Sequence, residues 1–384
     1  MARIKLRGMT WGHRRAIDPL LAVEAEFERQ HPGIEIEWAS RPLHGFEFTP
    51  VPDLARQYDL IVLDHPFCGE IAASECLLPI DDVVAAAGGD CYVGPSLATY
   101  RYEGWCWALP IDAACQVAVA RPDLMAKLGE TAPADWRALL DLGAKARDRG
   151  LRLAIGLRGV HSLMTFFTLA ANLGKPCATD PGQPLIDRET ARTVLSHMRQ
   201  LLAYCPPEAL DWNSIELHDA MAARDDLAFC PAVYCYATYA ESDHAHPLRF
   251  HDFPGPNGPA GSTIGGTGLG LSAHGRAPEA ALAYARFCAQ PETQRLFAAH
   301  HGQPARREAW TDPAIDARFG GCYSATLRTM DQCWVRPRFK GYLAFQARAG
   351  DLIEQHLRGV MDETRLLDSL QRAFEAAGKA GLAG

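Results

Sequence analysis

Long apolar runs are missing from this 384-residue chain. None approaches the ~20 residues that a membrane-crossing helix needs. The start also lacks the basic flank and unbroken apolar core, about 7–15 residues long, of a secretory signal. Ile4, Leu6 and Met9 are interrupted by Lys5 and Arg7 and run into Trp11-Gly12-His13-Arg14-Arg15. The segment reads as a short strand, which leaves either cytosolic residence or a leader already removed. Excess positive charge is missing too. The formal net charge is −8, which argues against a general nucleic-acid binder, because such a protein needs a basic face to neutralise phosphates. The twelve cysteines, scattered from Cys68 to Cys333, contain no C-x-x-C pair, so zinc ribbons and thioredoxin-type motifs drop out. Several, such as Cys106, Cys115 and Cys288, sit in apolar runs where a thiol behaves as a small hydrophobe. Reduced thiols are expected, since a chain of this length needs no covalent staples to fold. A Gly-x-Ser-x-Gly elbow, a Walker loop and a His-Glu-x-x-His helix are all absent. His244, His246 and His251 are close in sequence, but their proline-rich stretch fixes no metal geometry. No cofactor and no metal are expected.

What is present is an ordinary globular mixture, 48% hydrophobic and 22% charged. At roughly 150 residues per domain, the length suggests two or three domains or one two-lobed unit. Residues 3–10 alternate apolar and polar. Asp18-Pro19 then predicts a helix start, with Asp18 as cap and the proline in the first turn. Leu20, Leu21, Val23 and Phe27 form its apolar face, and His31-Pro32-Gly33 stops it. Ile34, Ile36 and Trp38 alternate as a second strand. Tyr58-Asp59-Leu60-Ile61-Val62-Leu63 reads as a third, covered on both faces, and ends abruptly in Asp64-His65-Pro66. This is α/β wound-sheet grammar. In such sheets ligands sit beyond the carboxyl ends of the strands, which puts residues 11–15 and 64–69 on the functional rim. Paired strands are expected over 101–120, with a tight turn at Glu103-Gly104. Helices are expected near 135–149, 161–173, 189–203, 216–224, 277–301, 343–358 and 364–377. A short strand near 226–229 is expected to end at Cys230-Pro231. The Gly/Pro-rich stretch 252–270 reads as a crossover loop feeding another strand.

The order of these segments resembles the family 1 extracellular solute-binding proteins, the maltodextrin-binding type that serves ATP-binding cassette importers. The carrying stretches are Phe27-Glu28-Arg29-Gln30-His31-Pro32-Gly33-Ile34, Tyr58 to Asp64, Leu77-Leu78-Pro79-Ile80-Asp81, Gly104-Trp105-Cys106-Trp107-Ala108-Leu109-Pro110-Ile111 and Ala281-Leu282-Ala283-Tyr284-Ala285-Arg286-Phe287. The resemblance implies a two-lobed α/β fold of the type II periplasmic-binding-protein kind, each lobe a wound sheet flanked by helices. Lobe one is expected at 1–111 plus 260–310 and lobe two at 112–259 plus 311–384, with hinges near 109–113, 255–262 and 308–314. It implies a small-molecule solute clamped by hinge closure, an ABC permease as partner, and a monomer. Periplasmic residence follows from the resemblance, whereas the start of the chain and its twelve cysteines favour the cytoplasm. The alternative function is a cytosolic enzyme or ligand sensor on the same scaffold.

Candidate ligand contacts follow from the rim and from the resemblance together. Trp11, His13 and Arg14 lie in the loop after the first strand, where helix amides attract anions. Asp64 and His65 follow the third strand; Asp64 is either a hydroxyl acceptor or a helix cap. Asp112 is either an acidic ligand contact or a hinge hydrogen bond. His161 opens a helix in lobe two. Tyr234 and Tyr236, with Tyr239 nearby, offer apolar faces and hydroxyl handles. Gly266 and Thr267 lie where glycine lets a ligand approach the backbone. Arg336, Arg338 and Tyr342 form the sharpest cluster, since arginine forks bind carboxylate or phosphate through two hydrogen bonds. Together with His13, Arg14, Arg15 and His65, these arginines favour an anionic ligand over a neutral sugar.

Overall fold

The computed structural model describes residues 3–383 of the chain. Ten strands are found among them: β1 (Ile4–Trp11), β2 (Ile34–Arg41), β3 (Leu60–Leu63), β4 (Arg101–Tyr102), β5 (Trp105–Cys106), β6 (Leu109–Ala120), β7 (Arg152–Leu153), β8 (Leu227–Tyr234), β9 (Arg249–His251) and β10 (Ile264–Leu271). The chain divides into two compact units. The first contains Met1–Ala113, Gly265–Ile315 and Arg338–Lys340; the second contains Ala114–Ile264, Asp316–Pro337 and Gly341–Gly384.

In the first unit the strand order is β2-β1-β3-β10. β1 runs parallel to β2 and β3, and β10 runs antiparallel to β3. All four residues of β3 are buried, as its unbroken apolar run predicts. Gly8 in β1 is there for space: a Cβ at that position would collide with the Trp38 ring of the neighbouring strand. The first helix departs from expectation. It runs Arg14–Gln30, so Pro19 lies inside it. His13 sets this earlier start, because its Nδ1 accepts the Arg15 N–H at 3.1 Å and its carbonyl accepts from Ala16 and Ile17. Pro19 then removes one backbone bond, the one its N–H would have made to the Arg15 carbonyl. The inner face of the helix buries Leu20, Val23 and Phe27. Phe27 meets Tyr284 edge-on at 5.1 Å and Phe287 at 5.5 Å. The helix expected over 277–301 is two, Pro278–Cys288 and Pro291–Ala299. Pro291 forces the break, because the residue before a proline is pushed out of the helical region, and Gln290 is extended, with ψ 145°.

The short stretch Arg338–Lys340 is bound to this unit from two sides. Gly69 has no side chain where the main chain of residues 338–340 passes; a Cβ there would collide with it. Arg338 Nη1 donates to the carbonyls of Ala98, Thr99 and Arg101 at 2.7, 2.7 and 2.8 Å, and the guanidinium lies 5.6 Å from the Tyr102 ring centre.

In the second unit β6 pairs antiparallel with β8 and β9, and β7 runs parallel to β8. The strand expected to stop at Pro231 continues to Tyr234. The register explains how. Val117 pairs with Val233 and Val119 with Cys230, so Pro231 and Ala232 together oppose Ala118. This is a bulge, and it places the residue without an N–H where the ladder is already interrupted. The glycine run Gly265-Gly266-Thr267, expected to precede a strand, is itself part of β10. Helix Val160–Asn172 is buried over nearly its whole length and packs against Arg188–Leu202 and Tyr342–Leu357. Gly350 permits the closest approach, since a Cβ there would lie 2.6 Å from the Gly159 backbone. Ser162 Oγ seals the crossing by donating toward the Gly159 and Gly350 carbonyls at 2.8 and 2.9 Å.

Two tests arise from this packing. Arg338→Ala removes three charge-assisted bonds to carbonyls and should destabilise the protein by about 2 kcal/mol or more, read as a lower urea midpoint. Glu24, on the first helix, has its carboxyl pushed up from 4.5 to about 7, chiefly by burial and then by Glu28. The folded protein therefore holds a proton that the unfolded chain releases, and stability falls as pH rises from 4.5 to about 7. Glu24→Gln should raise the melting temperature at pH 8 and lose that advantage below pH 5.

Candidate functional site

In the first unit, register gathers several of the expected residues at one end of the sheet. Met9 pairs with Ile61 and Gly268 with Leu63, so the end of β1, the end of β3 and the start of β10 lie side by side. Trp11, Asp64, Gly266 and Thr267 share that edge. Trp11 is the last residue of β1, buried, with its ring 5.0 Å from Phe46. His13 caps the first helix, and Arg14 donates to the His301 ring at 3.0 Å. Neither is a bare loop charge.

Arg15, not Arg14, is the chemically decisive residue of this segment. It is buried and grips Asp112 with two bonds, Nε to Oδ2 at 2.8 Å and Nη2 to Oδ1 at 2.5 Å. Asp112 is thereby an internal ion-pair partner, the hydrogen-bonding role that stood beside a ligand contact in its expected readings. Burial pushes its carboxyl up, while the charge and hydrogen bonds of Arg15 oppose that rise. Asp64 proves to be a cap: its carboxylate accepts the His65 N–H at 2.8 Å and lies 2.9 Å from His65 Nδ1. His65 is fully buried and edge-on to Tyr100, so its expected place on the rim is corrected.

Beside the ion pair is a small pocket of about 10 Å³, lined among others by Thr10, Trp11, Arg15, Asp112 and Thr267. That is room for about one water-sized group. Thr10 Oγ1, Trp11 Nε1 and Thr267 Oγ1 are buried and have no hydrogen-bond partner among the described residues. The residues lining it thus carry two hydroxyls and an indole N–H that other described residues leave unsatisfied, groups that suit a neutral hydroxyl able both to donate and to accept. Thr10 was missed in the sequence, although the signal is there. It continues the buried face of β1 after Leu6 and Gly8, and a polar residue on a core face is informative.

In the second unit the expected contacts are mostly interior. His161, in the first turn of helix Val160–Asn172, is buried, and its Nδ1 lies 3.4 Å from Ser214 Oγ. Burial, then Arg158 and Arg336, push it down to about 4, so it is neutral at pH 7. Arg336 is buried and donates to Gln346 Oε1 at 3.1 Å. Tyr342 is fully buried, 6.0 Å from Phe345. Tyr236 lies buried 5.6 Å from His218, and Tyr239 stacks on the same ring at 4.9 Å. The wet edge expected of three tyrosines is thus not seen as such: Tyr234 is half-buried at the end of β8, and its hydroxyl is buried. Arg336 and Arg338, expected as one cluster, belong to different units.

The Arg15–Asp112 pair makes a sharp prediction. Truncating one partner of a buried ion pair strands the other, at a cost of about 3–5 kcal/mol. Arg15→Ala and Asp112→Ala should each lower stability by that amount, and the double variant should cost less than their sum in chemical denaturation.

The sequence profile of bacterial extracellular solute-binding proteins matches residues 22–317. The fold is similar to that of maltose-bound MalE3 from T. maritima, at 17% identity and TM-score 0.82, with 97% of this chain and 99% of that one covered. It is also similar to the GacH receptor of Streptomyces glaucescens, solved unliganded and with acarbose, at 16% identity and TM-score 0.83, covering 99% of each chain. UgpB from Mycobacterium tuberculosis, in complex with glycerophosphocholine, matches at 16% identity and TM-score 0.81, over 100% of both chains. With a profile spanning most of its length and this fold in both units, the chain belongs to the bacterial extracellular solute-binding protein family.

Proposed function

We propose that this protein captures one small, neutral, hydroxyl-rich solute by hinge closure and passes it, chemically unchanged, to the permease of an ABC-type importer. The observation that carries the choice of solute is the state of the charges. Arg15 is paired with Asp112, Arg338 is engaged by three carbonyls, Arg336 is bonded to Gln346, and His161 is neutral at pH 7. The cations that favoured an anionic ligand already have partners within the protein. Among the buried polar atoms without a hydrogen-bond partner, Thr10 Oγ1, Trp11 Nε1 and Thr267 Oγ1 belong to residues lining one pocket, and they are groups that a sugar or polyol hydroxyl satisfies. Maltose, α-D-tagatose and ribitol, bound by proteins of similar fold, are solutes of this chemistry. The chain passes between its units after Ala113, Ile264, Ile315, Pro337 and Lys340, and such multiple crossings suit hinge motion. The alternative of an enzyme or sensor relied on the Asp64–His65 corner with the Arg336/Arg338 pair, and neither presents a free reacting group.

A thermal-shift panel of maltose, tagatose, ribitol, glycerophosphocholine, citrate and phosphate tests the reading. A neutral sugar or polyol should raise the melting temperature by mass action; a response confined to citrate or phosphate would overturn the assignment. With the responding solute, Thr10→Val, Thr267→Val and Trp11→Phe should each weaken binding by about tenfold, the equivalent of one hydrogen bond. Without solute, the two threonine variants should be no less stable than the parent, because an unpartnered buried hydroxyl is a liability there. Unchanged affinity in all three would remove this pocket from the site.

A further inference from the structure

None of the twelve cysteines is joined in a disulfide, yet four are not scattered in space. Within the second unit, Cys235 Sγ and Cys322 Sγ lie 3.5 Å apart, both buried, joining positions 87 residues apart in sequence. Carrying the Gln116–Tyr234 register one step further sets Cys115 opposite Cys235 across β6 and the end of β8, and the Cys235 N–H donates to the Cys115 carbonyl at 3.1 Å. The Cys115 thiol is pushed well above its ordinary value, first by burial and then by the adjoining thiols of Cys333 and Cys235. Cys333 is half-buried, and its thiol donates to the Thr329 carbonyl at 3.3 Å. The Trp334 N–H donates to the Ser262 carbonyl at 2.8 Å and Ser262 Oγ donates to the Gln116 carbonyl at 2.6 Å, which brings the Cys333–Trp334 step alongside Cys115–Gln116. The order in space is therefore Cys333, Cys115, Cys235, Cys322, running from the half-buried member to the buried ones. A shared metal does not explain the cluster: among the described residues no group of three or more His, Cys, Asp or Glu is placed to hold one ion.

We propose that these four thiols form an exchange path that accepts oxidation at Cys333 and stores it as a Cys235–Cys322 disulfide. The oxidant is a small-molecule disulfide. The Cys333 thiolate attacks one of its sulfurs, forming a mixed disulfide and releasing one small thiol. Cys115 attacks the Cys333 sulfur and expels the second small thiol. Cys235 then attacks Cys115, freeing the Cys333 thiol, and Cys322 attacks Cys235, freeing the Cys115 thiol. Each step is a thiolate–disulfide exchange. In sum, two protein thiols give up two electrons and two protons, and the small disulfide takes up both and leaves as two thiols. The path ends at Cys235–Cys322 because those sulfurs already touch; closing the bond to about 2.05 Å needs a shift of only ~1.5 Å. The crosslink joins residue 235 of the Ala114–Ile264 stretch to residue 322 of the Asp316–Pro337 stretch, and so restrains a long loop of the unfolded chain. None of this depends on which solute the protein carries.

The test uses the full-length reduced protein and excess glutathione disulfide, with alkylation at timed points, unfolding, and peptide mapping without reductant. The expected end state has two fewer alkylatable thiols than the twelve of the reduced chain, one crosslinked peptide joining Cys235 to Cys322, and a melting temperature several degrees higher that dithiothreitol reverses. Cys333→Ser should slow crosslinking at least tenfold and leave its position unchanged; Cys333→Ala serves the same purpose if the serine variant folds poorly. Cys322→Ser should halt the exchange at a disulfide containing Cys115. Persistence of all the thiols after prolonged exposure, or a crosslink elsewhere in the wild-type chain, would overturn the stored disulfide. An unchanged rate in the Cys333 variants would overturn its point of entry.

Discussion

The first unit depends on the Arg15–Asp112 ion pair. Taking two charges out of water is costly, and a buried pair is tolerated only when its geometry returns most of the loss. Here both guanidinium bonds reach one carboxylate. The pair ties the first turn of the first helix to the residue just before the chain leaves the unit at Ala113. Ala113 itself is held next door: its N–H donates to the Gln303 carbonyl at 2.9 Å, and the Gln303 side chain donates to its carbonyl at 3.2 Å. The end of β1, the start of the helix and the departure point of β6 are therefore fixed together. The polar pocket at Thr10, Trp11 and Thr267 is defined by the same contact.

Arginine has the same function elsewhere. Arg121 is fully buried in the second unit and donates to the carbonyls of Met221 and Arg224 at 2.8 and 2.6 Å. Arg306 does the same in the first, reaching the carbonyls of Ala87 and Ala289 at 3.0 Å each. A planar group with five donors can satisfy several helix-end carbonyls at once. It crosslinks distant segments without a covalent bond. This use of guanidinium groups explains why arginine content is a poor guide to ligand charge in this chain.

Element order was largely readable in the sequence, because it rests on local periodicity: the buried run of β3, the alternation of β2 and the amphipathic helices at 136–148 and 188–202 all stand where pattern puts them. The misreadings share a cause. Pro19 and Pro231 read as boundaries from their own chemistry, but a histidine cap upstream and a bulge opposite Ala118 accommodate them within elements. Side-chain roles were harder still. The partners of Arg15 and Arg338 lie 97 and about 240 positions away, and no local pattern reveals whether a fork faces a solute or a carbonyl. Polar residues on buried faces, such as Thr10 and Thr267, leave a local trace in the sequence that such long-range partners do not.

The bulge at Pro231 also sets parity. Side chains along a strand alternate between two faces, so one additional residue in β8 reverses the facing of everything beyond it relative to β6. Tyr234 and Cys235 inherit their sides from that single insertion: the half-buried phenol goes one way and the thiol the other, toward Cys322. A chain one residue shorter there would exchange them, placing a sulfur where the tyrosine stands and a phenol among the thiols. The count of residues between Cys230 and Tyr234 thus carries information that their identities do not.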